Sequence, residues 1–161
     1  MFDQFMMSFF SNLASGFILT ILIFISTYYI FKIPELHGHW MCILTYETSS
    51  LSKYKGMVLT YKVLLWQEGK KLYGTGEKTQ AELQDGTKEI YDPGKRIQIE
   101  VSGYINKKYH TRSQIVFHIK EEGTLRKSST IQIVKFKKGK LVGNFISTIA
   151  DSAGLVKWHK A

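Results

Sequence analysis

Cysteine is almost absent: Cys42 is the one thiol in 161 residues. A single cysteine excludes an intramolecular disulfide and a four-cysteine zinc site, and it suits a reducing compartment. Proline occurs twice, at Pro34 and Pro93, which excludes a proline-rich linker. Basic residues are missing from the first 31 positions, where Asp3 is the only charge. Acidic residues are scarce later: residues 95–161 carry 14 basic and 4 acidic side chains, against 8 and 9 in residues 1–94. No helical period of useful length follows residue 36, and no stretch has room for a nucleotide-binding βαβ domain beside a second domain.

What is present begins with an apolar run. Residues 9–31 contain no charge over 23 positions, which as a helix spans about 34 Å, enough for a bilayer core with some tilt. Residues 17–31 include ten Ile, Leu or Phe. Tyr28 and Tyr29 fall where an interfacial aromatic belt belongs, and Lys32 marks the exit. A cleaved signal peptide fits poorly, because the N-terminal flank has no Lys or Arg and the run is too long. The reading is a retained single-pass anchor, residues 1–35, followed by one domain, residues 36–161. The basic flank on the C-terminal side places that domain in the cytoplasm.

The domain reads as strands. Residues 97–101 alternate Ile97, Ile99 and Val101 with polar neighbours, and Ile115, Phe117 and Ile119 repeat the pattern. Met57, Leu59, Tyr61, Val63 and Leu65 form one face of a long second strand, read over residues 54–66. Further strands are expected over 40–46, 71–78, 96–105, 112–121, 130–137, 140–148 and 155–160. Residues 79–90 are left as a short helix or loop. Turns are expected at Gly69, Asp85-Gly86, Asp92-Pro93-Gly94, Glu122-Gly123, Lys138-Gly139 and Ala153-Gly154. Eight strands with short connections predict an all-β fold, an eight-stranded antiparallel up-and-down barrel of lipocalin-like form. A two-sheet sandwich is the alternative. Closure would remove the exposed edges, and such a barrel holds side chains or one small ligand.

Chemistry-bearing motifs are few. Gly38-His39-Trp40 stands before the first strand, where lipocalin-type barrels place a glycine and an end-plugging tryptophan. His37, His39 and Cys42 lack further ligands for a metal. Gly74-Thr75-Gly76 lacks the continuation of a phosphate loop and reads as a strand glycine pair at a bend. Glu121-Glu122 reads as a solvent-exposed turn. No catalytic constellation is found, so no enzyme, no cofactor and no metal are expected. The net charge of +9 points instead to an anionic partner. Flat aromatic faces with fixed cations are what a nucleotide pocket needs. On that chemistry Tyr46, Tyr73 and Tyr104 are stacking or hydroxyl candidates. Arg112 and Arg126 are phosphate candidates, preferred over lysine for bidentate geometry, and His118, Asn144 and Thr148 are polar candidates for the interior.

An anchor, the Gly38-His39-Trp40 opening, Tyr54-Lys55-Gly56 before the long strand, and Leu141-Val142-Gly143 leading to Leu155-Val156-Lys157-Trp158 together resemble one family. It is the two-transmembrane, β-strand-rich effector family of the cyclic-oligonucleotide-based anti-phage signalling systems. The resemblance implies a receptor: the barrel binds a cyclic di- or trinucleotide, protomers assemble in the bacterial inner membrane, and membrane disruption kills the infected cell. A related arrangement reverses the sign, with the nucleotide restraining the effector. The family carries two membrane helices, whereas this sequence has room for one span. Small residues Ser11, Ser15, Gly16 and Thr20 could let anchors pack closely. The partners expected are thus a cyclic nucleotide, the lipid bilayer and further copies of the chain, with no DNA or RNA polymer. Two other classes compete: a tethered lipocalin-like carrier of a small apolar ligand, and a non-catalytic module using its basic face on lipid headgroups or a protein partner.

Overall fold

A computed structural model describes residues 2–30, 33–106, 113–123 and 127–161. The chain divides into two units, residues 1–34 and 35–161. The first unit is a single helix, α1 (Phe2–Ile30). Phe17, Ile18, Leu19, Leu22 and Phe24 occupy successive faces and all are exposed. A helix that is apolar all round belongs in a membrane or a deep core. Its segment Phe2–Ser26 is long and apolar enough to cross a bilayer. The hydroxyls of Ser15 and Thr20 donate to the carbonyls of Ser11 (2.8 Å) and Gly16 (2.9 Å), so neither needs water.

The second unit is a closed antiparallel barrel. Its strands are β1 (Gly38–Thr48), β2 (Val58–Glu68), β3 (Lys71–Glu82), β5 (Gln98–Asn106), β6 (Gln114–Glu122), β7 (Lys127–Lys137), β8 (Lys140–Ser147) and β9 (Ser152–Lys160). Each pairs with its neighbour in sequence, and β9 returns to β1, which closes the sheet. A ninth, three-residue strand, β4 (Lys88–Ile90), hangs from β3 alone at Gln80–Glu82. The barrel is therefore the expected eight-stranded up-and-down type with one short appendage. The segment 79–90 is not helical: β3 continues to Glu82 and β4 answers it. Two boundaries also differ. The long second strand begins at Val58, after a 3-10 turn at Ser52–Tyr54. Ala153-Gly154 lies inside β9, and the reversal falls at Ile149–Asp151, where Ala150 and Asp151 take positive φ.

Alternation fills the interior. Trp40, Cys42, Leu44 and Tyr46 point inward from β1, and Leu59, Tyr61, Val63 and Leu65 from β2. The centre is packed with rings: Phe117 stacks on Trp158 at 4.8 Å and Tyr46 meets Phe145 edge-on at 4.9 Å. Gln132 is fully buried among them, and it accepts the Trp158 indole N–H at 2.8 Å, which satisfies both polar groups. Such rings need room, and glycines supply it. A Cβ at Gly143 would lie 1.9 Å from the Ile133 carbonyl, and one at Gly154 would lie 2.0 Å from that of Thr45. The Gly74 and Gly76 pair does the same in β3 against the Leu64 and Lys62 carbonyls.

The two ends differ. At one, β1 begins, β9 ends, and the β2–β3 and β7–β8 hairpins turn. Trp40 closes this end: its indole donates to the Leu36 carbonyl at 2.9 Å, and Leu36 is itself fully buried. At the other end, the mouth, lie the β1–β2 connection, the β3–β5 segment and the turn before β9.

Candidate functional site

The centre of the barrel is packed with side chains, and open space lies at the mouth. A cavity of about 320 Å³ is walled there by Tyr54, Met57, Leu59, Leu83, Tyr91, Ile97 and Ile149, with Lys78 and Glu121 set among them. Its size sits at the low end of ligand pockets. An open groove formed by Lys53, Tyr54, Leu83, Gln84 and Asp85 shares Tyr54 and Leu83 with the cavity.

Strand register explains the polar floor. Inward alternation in β3 runs through Leu72, Gly74 and Gly76 to Lys78. Thr79 is then an extra residue, because Tyr61 pairs with Lys78 and Thr60 with Gln80. That bulge restores Ala81 to the inside. In β6 the same alternation carries Ile115, Phe117 and Ile119 on to Glu121. Lys78 and Glu121 thus meet inside the barrel at 2.6 Å, each side chain nearly buried at 11% and 12% exposure. Glu121 is not the solvent-exposed turn residue expected from sequence. Its second oxygen accepts the Tyr61 hydroxyl at 3.2 Å. Burial, with the Glu121 charge beside it, holds the Tyr61 hydroxyl well above its ordinary pKa. Tyr46 is raised in the same way, mainly by burial.

The wall formed by β4 and its flanks adds a second aromatic. Lys78 Nζ lies 5.7 Å from the Tyr91 ring centroid. The Tyr91 hydroxyl donates to Glu89 at 3.2 Å, and burial followed by the Glu89 charge pushes its pKa to about 12. Arg96 holds this wall in place: it donates to the Tyr91 carbonyl and pairs with Glu77. At the rim, Lys53 Nζ sits 4.9 Å over the Tyr54 ring. The mouth therefore offers two aromatic rings, two lysines and a buried carboxylate in a largely apolar wall that also includes Glu89 and Ser128.

Few of the residues expected from sequence are here. Tyr46 faces the interior but is part of the packed core, against Phe145. Tyr73 stacks on Trp66 on the barrel's outer face, at 6.4 Å. Tyr104 is exposed, on the outward phase of β5. His118 also points outward, its ring bonded to the Ser129 hydroxyl at 2.6 Å. Asn144 and Thr148 are exposed, and Thr148 accepts the Ser129 backbone N–H. Tyr73, Tyr104, His118 and Asn144 share the outward phase because their strand neighbours Leu72, Ile105, Phe117 and Phe145 point inward, and Thr148 lies in the turn after β8. Arg112 and Arg126 lie outside the described residues. Sequence reasoning passed over Lys53, Lys78, Tyr91 and Glu121 as site residues. Tyr54 had a signal, in the Tyr54-Lys55-Gly56 segment. Cys42 is buried with its thiol pKa raised, and no cluster of three metal-ligating side chains occurs among the described residues.

Fold and mouth together define a closed antiparallel barrel with a pocket at one end. Among solved structures, the chain resembles a redesigned β-barrel, mFAP1, bound to DFHBI. The match has a TM-score of 0.51 and 12% identity, over 78% of this chain and 94% of the other. That likeness concerns the fold. No protein-family model matches the chain, and no curated protein matches it.

Proposed function

We propose that this protein is a membrane-anchored receptor whose barrel binds a cyclic di- or trinucleotide at the mouth. The single observation that carries the reading is the union of Tyr54, Tyr91, Lys78 and the buried Glu121 around one cavity, with Lys53 in the adjoining groove. A base stacks on a tyrosine face, and its exocyclic amine donates to a carboxylate. Lys53 at the rim takes a phosphate. The cavity suits one base, leaving the sugar–phosphate ring in the adjoining groove. With α1 in the bacterial inner membrane and the barrel in the cytoplasm, the nucleotide would control assembly of protomers, membrane disruption and death of a phage-infected cell. The barrel acts here without catalysis.

The experiment is a thermal-shift and calorimetric screen of residues 35–161 against cyclic di- and trinucleotides beside a fatty-acid panel. That segment closes its own sheet around its own core. A rise of several degrees with one cyclic nucleotide supports the receptor. No response to any of them overturns it. The apolar wall of Met57, Leu59, Ile97 and Ile149 favours a second reading, a lipocalin-like carrier. Stabilisation by fatty acids alone would select that reading.

A further inference from the structure

Charge is divided unequally between the two ends of the barrel, and the division is sharper in space than along the chain. The five ion pairs among the described residues all fall in the mouth half: Lys78–Glu121, Lys88–Glu82, Lys95–Asp92, Arg96–Glu77 and Lys127–Glu122. The tryptophan end is different. The β2–β3 hairpin brings Lys70 and Lys71, the β7–β8 hairpin brings Lys137, Lys138 and Lys140, and β9 finishes at Lys160. All six are exposed and none forms an ion pair with another described residue, though Lys160 Nζ lies 5.9 Å from the Trp40 ring centroid. Two exposed carboxylates, Glu35 and Glu68, share that end, so the cations outnumber their neighbours threefold.

Like charges gathered with few anions among them repel one another, and a fold tolerates them at a cost unless an anionic surface neutralises them. The hairpins are short, so these lysines lie at the barrel's end and cannot fold back to the carboxylates of the mouth. A second, independent feature marks the same end. The chain enters the barrel there, at Leu36 and Gly38, a few residues after a helix apolar enough to cross a bilayer. We propose that the lysine-bearing tryptophan end is a docking surface for anionic lipid headgroups. The surface is a set of exposed point charges, which suits a fluid array of phosphates, and Trp40, which closes this end, is buried and offers no face to a base. It also leaves the ligand cavity at the opposite end of the barrel, clear of the lipid-binding face.

The test uses the full chain in nanodiscs of phosphatidylcholine alone or with phosphatidylglycerol. Lysine accessibility is read by amine-reactive labelling and mass spectrometry. The expected result is a fall of about threefold or more in labelling of Lys70, Lys138 and Lys140 in the anionic discs, reversed by high salt, with Lys55 and Lys95 at the mouth unchanged. The charge-reversing variant Lys137→Glu/Lys138→Glu/Lys140→Glu alters only exposed positions and should abolish the protection of Lys70. Equal labelling in both discs overturns the proposal. Protection of these lysines by an RNA oligonucleotide but not by anionic lipid also overturns it and assigns the surface to nucleic acid.

Discussion

Lys78 Nζ and Glu121 Oε1 lie 2.6 Å apart on β3 and β6, two strands separated by β5, and so pin the barrel across its mouth. Neither charge can be removed alone without leaving the other nearly buried. Lys78→Ala should therefore lower stability by about 3 kcal/mol in urea denaturation of residues 35–161. Lys78→Met combined with Glu121→Leu should recover most of that loss. An additive double variant would mean that the pair is not coupled.

Gln132 satisfies the buried Trp158 indole at 2.8 Å. Gln132→Leu keeps the volume but orphans that N–H, with an expected loss of about 1–3 kcal/mol. Adding Trp158→Phe to the leucine variant removes the orphan donor, so the pair should cost less than the two single losses summed. Equilibrium unfolding of the four proteins measures this.

Gly143→Ala places a Cβ 1.9 Å from the Ile133 carbonyl, an atom that can move only with its strand. The barrel should lose several kcal/mol, on the order of an overpacked core site, or fail to fold. Gly94→Ala meets nothing within 4 Å and should leave the unfolding midpoint unchanged.

Tyr46, Tyr61 and Tyr91 all titrate above the ordinary value of 10.0, and Cys42 above 9.0. The folded state keeps protons that the unfolded chain releases. Stability from these groups is complete below about pH 8 and falls as pH rises past the unfolded values. The urea midpoint should drop between pH 8.5 and 10.5, and Tyr61→Phe should flatten part of that slope. A midpoint that rises over this interval would contradict the buried, neutral hydroxyls.

The mouth, not the outer face, should govern ligand affinity. Tyr54→Ala and Lys53→Ala should weaken the cyclic nucleotide found in the screen by about tenfold or more, as loss of a stacking face does. Tyr73→Ala and Tyr104→Ala, on the outer face, should leave it unchanged. Calorimetry separates the two sets.

Period-two alternation made the fold legible. A residue's side of the sheet follows from its parity, so Ile115, Phe117 and Ile119, or Leu59 through Leu65, could be placed in the core from sequence. The apolar run of α1 was equally plain, because span length depends on composition alone. The site was not legible, since parity in a strand must be anchored to an absolute phase. In β7 the inward residues are Thr130, Gln132 and Val134, while Ile131 and Ile133 face out, the reverse of what hydrophobicity suggests. Only pairing with β6 and β8 fixes that phase. The alternation of β3 carries Lys78 inward just before the bulge at Thr79, and closure of the sheet brings Glu121, 43 positions away, against it. Local sequence therefore determined the elements and their apolar faces, whose causes lie within a few residues. Register, shear and closure decided which polar groups share the mouth, because those contacts exist only once all eight strands are joined.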